Sequence, residues 1–297
     1  MELLKFLAEY KMLFIDNAKY IYNTITYHEK RIVALVKNGY IKRLKHKYIA
    51  LDSKGARYLE DNNICIRLHC RNSHNIDRLS TISDIASFLI KDGFNFVPSW
   101  RLKDKNLPTE HSRRYIGRFE HDKQLFLVYT VDENKNTRYI KSIHYDIKKE
   151  NEIKNTVIFA KDLRTLMLGK TDFFFGRTHT LLVAYNEYGK FIFRNNIDIR
   201  WKIFYRLKEL YNAELTDFEY ADVKTEDGKY IKIMLVINLE WMHHVRWQYK
   251  ENLLRGKELW VFCLEELEPI MKEFLPECNY KTMNKEKILS LLDKENK

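Results

Sequence analysis

The chain of 297 residues holds only four prolines, nine glycines and four cysteines. So little Gly and Pro excludes a collagen-like or low-complexity chain, and it leaves element boundaries to be read from hydrophobic periodicity. Cys65, Cys70, Cys263 and Cys278 are too few to staple a chain of this length, which excludes a disulfide scaffold and predicts a reducing, cytoplasmic compartment. No apolar run approaches the roughly 18 residues of a membrane helix. The opening Met1-Glu2-Leu3-Leu4-Lys5 lacks the basic-then-apolar order of a secretion signal. P-loop, GxGxxG and GxSxG strings are absent, so nucleotide hydrolysis, dinucleotide chemistry and esterase chemistry lose their usual signatures.

What is present is a folded composition, 45% hydrophobic and 31% charged, at a length that predicts about two domains. Lys and Arg number 52 against 41 Asp and Glu, a net charge of +11. That sign points to a polyanionic partner, nucleic acid first and an anionic membrane surface second.

Leu3, Leu4, Leu7 and Ala8 recur at helical spacing, and Ile15, Ala18, Tyr20 and Ile21 follow a capping Asp16-Asn17. A third helix begins near Thr24 or Thr26, turns Ile32, Val33, Leu35 and Val36 to the core, and stops at Asn38-Gly39. Tyr40 to Leu44 and Tyr48 to Leu51 read as a hairpin about Lys45-His46-Lys47, and Ser53 caps a further helix with Ala56, Tyr58 and Leu59. Three helices, a hairpin and a helix are the order of a winged helix-turn-helix. The first sixty residues carry twelve Lys and Arg against six Asp and Glu, over half of the whole chain's excess.

After a polar bridge at residues 71–75 come a helix from Ile82 to Ile90 and a loop from Asp104 to His111. Strands at Arg114 to Phe119, Leu125 to Val131, Thr156 to Ala160, Thr180 to Tyr185, Tyr230 to Leu239 and Leu259 to Cys263 alternate with helices at Arg138 to Lys149, Leu163 to Leu168, Ile199 to Tyr211 and Leu264 to Leu275. Such alternation predicts an α/β layer with parallel pairing. The expected fold class is therefore α+β to α/β. A winged helix-turn-helix over residues 1–70 leads through a linker with a helix at 71–112 to a mixed α/β domain over 113–280 and a C-terminal helix or tail at 281–297.

In a winged helix the third helix enters the major groove and the wing straddles the backbone. Thr26, Tyr27, His28, Lys30 and Arg31 on the helix and Lys42, Arg43, Lys45 and Lys47 on the wing are thus the expected DNA contacts, with Arg31 able to fork onto guanine. The competing reading is a charged face that is only solvated, on a module used for protein contact or dimerisation. Cys65, His69, Cys70 and His74 have the chemistry of zinc ligands, but their C-x3-H-C-x3-H spacing matches no common finger. Buried cysteines and surface histidines are the simpler reading. Glu240-Trp241-Met242-His243-His244 lacks the HExxH order of a metalloprotease. Trp241, Trp247 and Tyr249, beside Arg246 and Lys250, could stack on unpaired bases, although core packing explains such a stripe as well. Asp217, Glu219, Asp222 and Lys224 supply the short pattern of a Mg²⁺-dependent nuclease, whereas the strand from Leu125 to Val131 carries no carboxylate or lysine.

The string Tyr48-Ile49-Ala50-Leu51-Asp52-Ser53-Lys54-Gly55-Ala56-Arg57-Tyr58-Leu59 resembles the Y-x-L-T-x-x-G-x-x-x-L of the replication-relaxation family of plasmid and conjugative-element proteins. The likeness runs over about the first 190 residues, through the helix at Ile82 to Ile90 and the hairpin at Arg114 to Val131. It implies DNA binding in plasmid replication or transfer, and a second domain related to restriction-endonuclease-like folds. The chain departs from that pattern in having Ile116-Gly117 where the family has Pro-Asp, which implies a degenerate, non-catalytic domain. The sequence thus predicts a cytoplasmic protein that binds double-stranded DNA, needs no cofactor and pairs with a replication or transfer protein or with a second copy of itself. The alternatives are a metal-dependent nuclease or relaxase-like enzyme, and an interaction protein whose basic patch grips an acidic partner.

Overall fold

A computed structural model describes residues 2–22, 26–64, 76–91, 93–103, 114–121, 123–132, 137–149, 153–168, 179–254 and 256–293. The chain is a mixed α+β protein that divides into two compact units. The first comprises Met1–His111 and Tyr115–Leu125, the second Ser112–Arg114 and Phe126–Lys297.

In the first unit α1 (Glu2–Tyr10) buries Leu3, Leu4, Phe6, Leu7 and Ala8. It is followed by β1 (Leu13–Phe14), a single 3₁₀ turn, α2 (Ala18–Tyr22), α3 (Tyr27–Lys37), β2 (Ile41–Leu44), β3 (Tyr48–Leu51) and α4 (Ser53–Asp61). The strands form one antiparallel sheet in the order β1-β3-β2, with Leu13 opposite Ile49 and Ile41 opposite Leu51. Gly39 ends α3 in the left-handed region at φ 72°, where its N–H and that of Tyr40 donate back to Val36 and Leu35; this is the stop expected at Asn38-Gly39. The cap of α4 is Asp52, whose side chain accepts the Ser53 N–H, and not Ser53, which is the first helical residue. Gly55 lies so close to the Tyr40 carbonyl that a Cβ there would sit 2.1 Å from its oxygen. Only a residue without a side chain lets α4 settle against the start of β2.

The same unit continues through α5 (Ile76–Lys91), β4 (Asn95–Pro98), α6 (Ser99–Lys103) and β5 (Gly117–His121), which pairs antiparallel with β4. The segment expected to be a linker therefore belongs to a folded core. Its Ile82, Ile85, Ala86, Phe88 and Leu89 are buried. The Tyr10 hydroxyl donates to the Phe96 carbonyl at 2.8 Å, Asn17 donates to Asp84 at 2.7 Å, and Arg101 forks onto Glu9.

The second unit holds two β-α-β-α-β runs. The first is β6 (Gln124–Val131), α7 (Thr137–Lys149), β7 (Asn155–Ala160), α8 (Leu163–Leu168) and β8 (His179–Ala184). Its strands pair in parallel, Val131 beside Ala160 and Ala160 beside Ala184, as the alternation predicted. Val157, Ile158, Phe159 and Ala160 are each fully buried, the mark of a parallel strand covered on both faces. Next come α9 (Glu187–Arg194), α10 (Asn196–Tyr211), β9 (Glu214–Leu215), β10 (Val223–Lys224), β11 (Tyr230–Met234), β12 (Ile237–Asn238), α11 (Leu239–Lys250), β13 (Leu259–Leu264), α12 (Glu268–Phe274), β14 (Asn279–Met283) and α13 (Lys285–Asp293). A second sheet runs β14-β13-β11-β10-β9, parallel across β11, β13 and β14. The expected single strand from Tyr230 to Leu239 is thus two strands, and β12 pairs antiparallel with β8.

Candidate nucleic-acid interface

The geometry of α3 follows from its period. His28, Ile32 and Leu35, spaced four and three apart, form its inner face and are 6%, 1% and 7% exposed. Two expectations are corrected by this phase. His28 faces the core, so it is removed from the set of outward contacts. Val33, one residue past Ile32 and so about 100° around the helix, stands 57% exposed instead of packing inside. The outer surface carries Thr26, Tyr27, Glu29, Lys30, Arg31, Val33 and Lys37.

Arg31 is set in place by its neighbours. Burial pushes the Tyr22 hydroxyl above its ordinary value, and Arg31, which hydrogen-bonds it, pulls it part of the way back. Tyr22 in turn meets Tyr27 edge-on, ring centroids 6.0 Å apart. The guanidinium thus lies beside Tyr22 of α2.

The hairpin places four further cations. Lys42 and Arg43 on β2 and Lys45 and Lys47 in the connection are exposed. Leu44 pairs with Tyr48, so three residues, Lys45-His46-Lys47, close the loop. Lys45 and His46 both adopt left-handed backbone, φ 47° and 56°, at roughly 1 kcal/mol each for side chains where glycine would be unstrained. The Lys47 carbonyl accepts the Ile15 N–H at 3.0 Å, fastening the loop to the start of the 3₁₀ turn.

Between Thr26 and Tyr48 there are therefore seven exposed cations, Lys30, Arg31, Lys37, Lys42, Arg43, Lys45 and Lys47, and one acidic residue, Glu29. None of the seven has an ion-pair partner among the described residues. Like charges so gathered repel one another unless an anion lies against them.

The other candidate sites resolve differently. Cys65, His69, Cys70 and His74 lie outside the described residues, as does the loop from Asp104 to His111. Among the described residues no three His, Cys, Asp or Glu side chains converge as metal ligands. Asp222 is held by Arg200 and Lys232, each at 2.9 Å, and by the Ile233 N–H at 2.7 Å, so its lone pairs are spent on fixing α10 and β11. Asp217 and Glu219 are exposed, and Lys224 lies over the Tyr230 ring. Asp217, Glu219 and Asp222, the carboxylates of the alternative nuclease reading, thus form no metal-binding group among the described residues. Trp241 is buried with its Nε1 donating to the Tyr220 carbonyl, whereas Trp247 is 52% exposed, so the two do not make one stacking stripe. Arg246 covers the Phe274 ring and His243 packs against the same ring edge. Cys263 and Cys278 are buried thiols pushed up to about 12 by desolvation, which makes them inert as nucleophiles at neutral pH. No protein-family model, characterised protein or solved structure matches this chain.

Proposed function

We propose that this chain binds double-stranded DNA sequence-specifically through its first unit, without catalysis, and serves the replication or transfer of a plasmid or mobile element in the cytoplasm. The observation that carries the reading is the set of seven exposed cations on α3 and the β2–β3 hairpin, none of them ion-paired among the described residues. A helix, a strand, two helices and a hairpin joined in a β1-β3-β2 sheet fit a winged helix-turn-helix. In that arrangement α3 is the recognition helix and the Lys45–Lys47 loop the wing tip. Lys42, Arg43, Lys45 and Lys47 then neutralise phosphates, while Arg31 and Tyr27 reach base edges. The membrane alternative loses weight because the exposed cations flank aromatic and polar side chains on a helix, with no apolar face to embed. For the second unit the commitment of Asp222 to Arg200 and Lys232 supports a non-catalytic role, as a degenerate nuclease fold or as a platform for a partner of the replication or transfer complex.

Recovery of DNA crosslinked to the protein in its native cell tests this reading. A sharp peak at a replication or transfer origin, lost when Lys42, Arg43, Lys45 and Lys47 are changed to Glu, is the expected result. A diffuse signal equal in both proteins would overturn it.

A further inference from the structure

The outer face of α10 in the second unit is apolar where a surface helix is ordinarily polar. Its inner face, Ile199, Ile203 and Leu207, is buried, and the helix is fixed at its sides by Arg200 on Asp222 and by Lys202 donating to the Leu291 carbonyl at 3.1 Å. Opposite that buried row, Ile197, Trp201 and Tyr205 follow one another at steps of four residues, 48%, 48% and 59% exposed. The Trp201 and Tyr205 rings lie 6.3 Å apart, and Phe204 packs against both at 5.7 and 5.5 Å. Three large apolar side chains in one row are a contiguous patch, which a soluble surface seldom leaves uncovered.

The charges at the ends of this row identify what covers it. Asp198 stands at the N-terminal end and Lys208 at the C-terminal end, both exposed and neither ion-paired among the described residues. A two-fold axis at the level of Ile203 pairs residue n of one copy with residue 406 − n of the other. That register sets Trp201 against Tyr205 and Asp198 against Lys208, each charge lying about 7.5 Å along the helix from the axis. We infer that α10 is a self-association surface: two copies of this chain pack their α10 helices antiparallel, with the aromatic pair at the centre and two Asp198–Lys208 ion pairs at the rim. Nucleic acid suits the face less well, because Asp198 and Glu209 border it and Arg206 is paired with Glu209, unlike the α3 and hairpin surface. A helix of 16 residues spans about 24 Å, so the buried area falls below the roughly 1,600 Å² of a tight complex. The dimer is accordingly reversible and concentration-dependent. This inference stands independently of the DNA reading.

Sedimentation velocity on the nuclease-treated full chain, from micromolar to hundreds of micromolar, tests it. Wild type is expected to pass from monomer to dimer over that range. Asp198→Lys alone and Lys208→Asp alone should each weaken association by about tenfold, because each sets like charges together twice across the axis. The double variant Asp198→Lys with Lys208→Asp should return to within about threefold of wild type. Trp201→Glu should leave a monomer whose circular dichroism matches wild type. A wild-type chain that stays monomeric, a dimer indifferent to Trp201→Glu, or a double variant as weak as the singles would each overturn the proposal. Quenching of Trp201 fluorescence by a single-stranded oligonucleotide in a monomeric chain would reassign the face.

Discussion

At the scale of single residues, the proposed interface gives Arg31 and Lys45 different tasks, a base to read for the first and a phosphate to hold for the second. Arg31 stands exposed on α3, so on the proposed reading Arg31→Ala should weaken binding to a selected duplex by about 1–3 kcal/mol, with a much smaller loss on random duplex. Lys45→Gly should weaken both alike, since a phosphate contact carries no sequence information. Because Lys45 sits at φ 47°, the same change should raise thermal stability by up to roughly 1 kcal/mol. Fluorescence anisotropy on the two duplexes and a melting curve check these outcomes, and equal losses for Arg31→Ala on both duplexes would remove α3 from the groove. The exposure of these cations was legible in the sequence because Lys and Arg have few places to go but the surface. His28 and Val33 were misread because Ile32, Val33, Leu35 and Val36 do not share one face: Val33 lies about 100° around the helix from Ile32, and the face that Ile32 and Leu35 share takes in His28, four residues before Ile32.

At the scale of elements, Asp222 joins α10 to β11 and is 19% exposed. Its removal leaves Arg200, Lys232 and the Ile233 N–H without an acceptor. Asp222→Ala should therefore cost about 2–3 kcal/mol of stability, read as a lower denaturant midpoint, while duplex affinity is kept under native conditions. Loss of a Mg²⁺-dependent nicking activity with unchanged stability would instead restore the nuclease reading. The long strands β6, β7, β8 and β13 and the helices α7, α8 and α10 were legible from sequence to within a few residues, because each carries an unbroken apolar run or a clear helical stripe. Elements that rest on tertiary context were not. β9 and β10 have two residues each, too short for any alternation to register, and α9 lies hidden in a stretch from Glu187 to Arg194 whose Gly189 reads as a breaker. The break between β11 and β12 was invisible because both flanks are apolar.

At the scale of the whole molecule, the excess of +11 is unevenly held. Seven exposed cations against one acid lie within the 23 residues from Thr26 to Tyr48, whereas the exposed face of α10 balances its charges. We propose the first surface for a polyanion and the second for a copy of the same chain, and these two roles would make different demands on salt. The boundary near residue 70 failed because α5 and the β4–β5 pair, which look like a bridge in the sequence, bury Ile82, Ile85 and Phe96 within the first unit. Composition marks polar loops well but does not say which side of a loop a helix will pack on.

The most direct test of the central claim is the affinity of the purified chain for a duplex DNA as salt is varied. If the α3 and hairpin cations release counterions from phosphates, the logarithm of the association constant should fall against the logarithm of salt with a slope of about −4 or steeper. Changing Lys42, Arg43, Lys45 and Lys47 to Glu should abolish binding. A slope near zero, or a variant that binds as wild type does, would contradict the account.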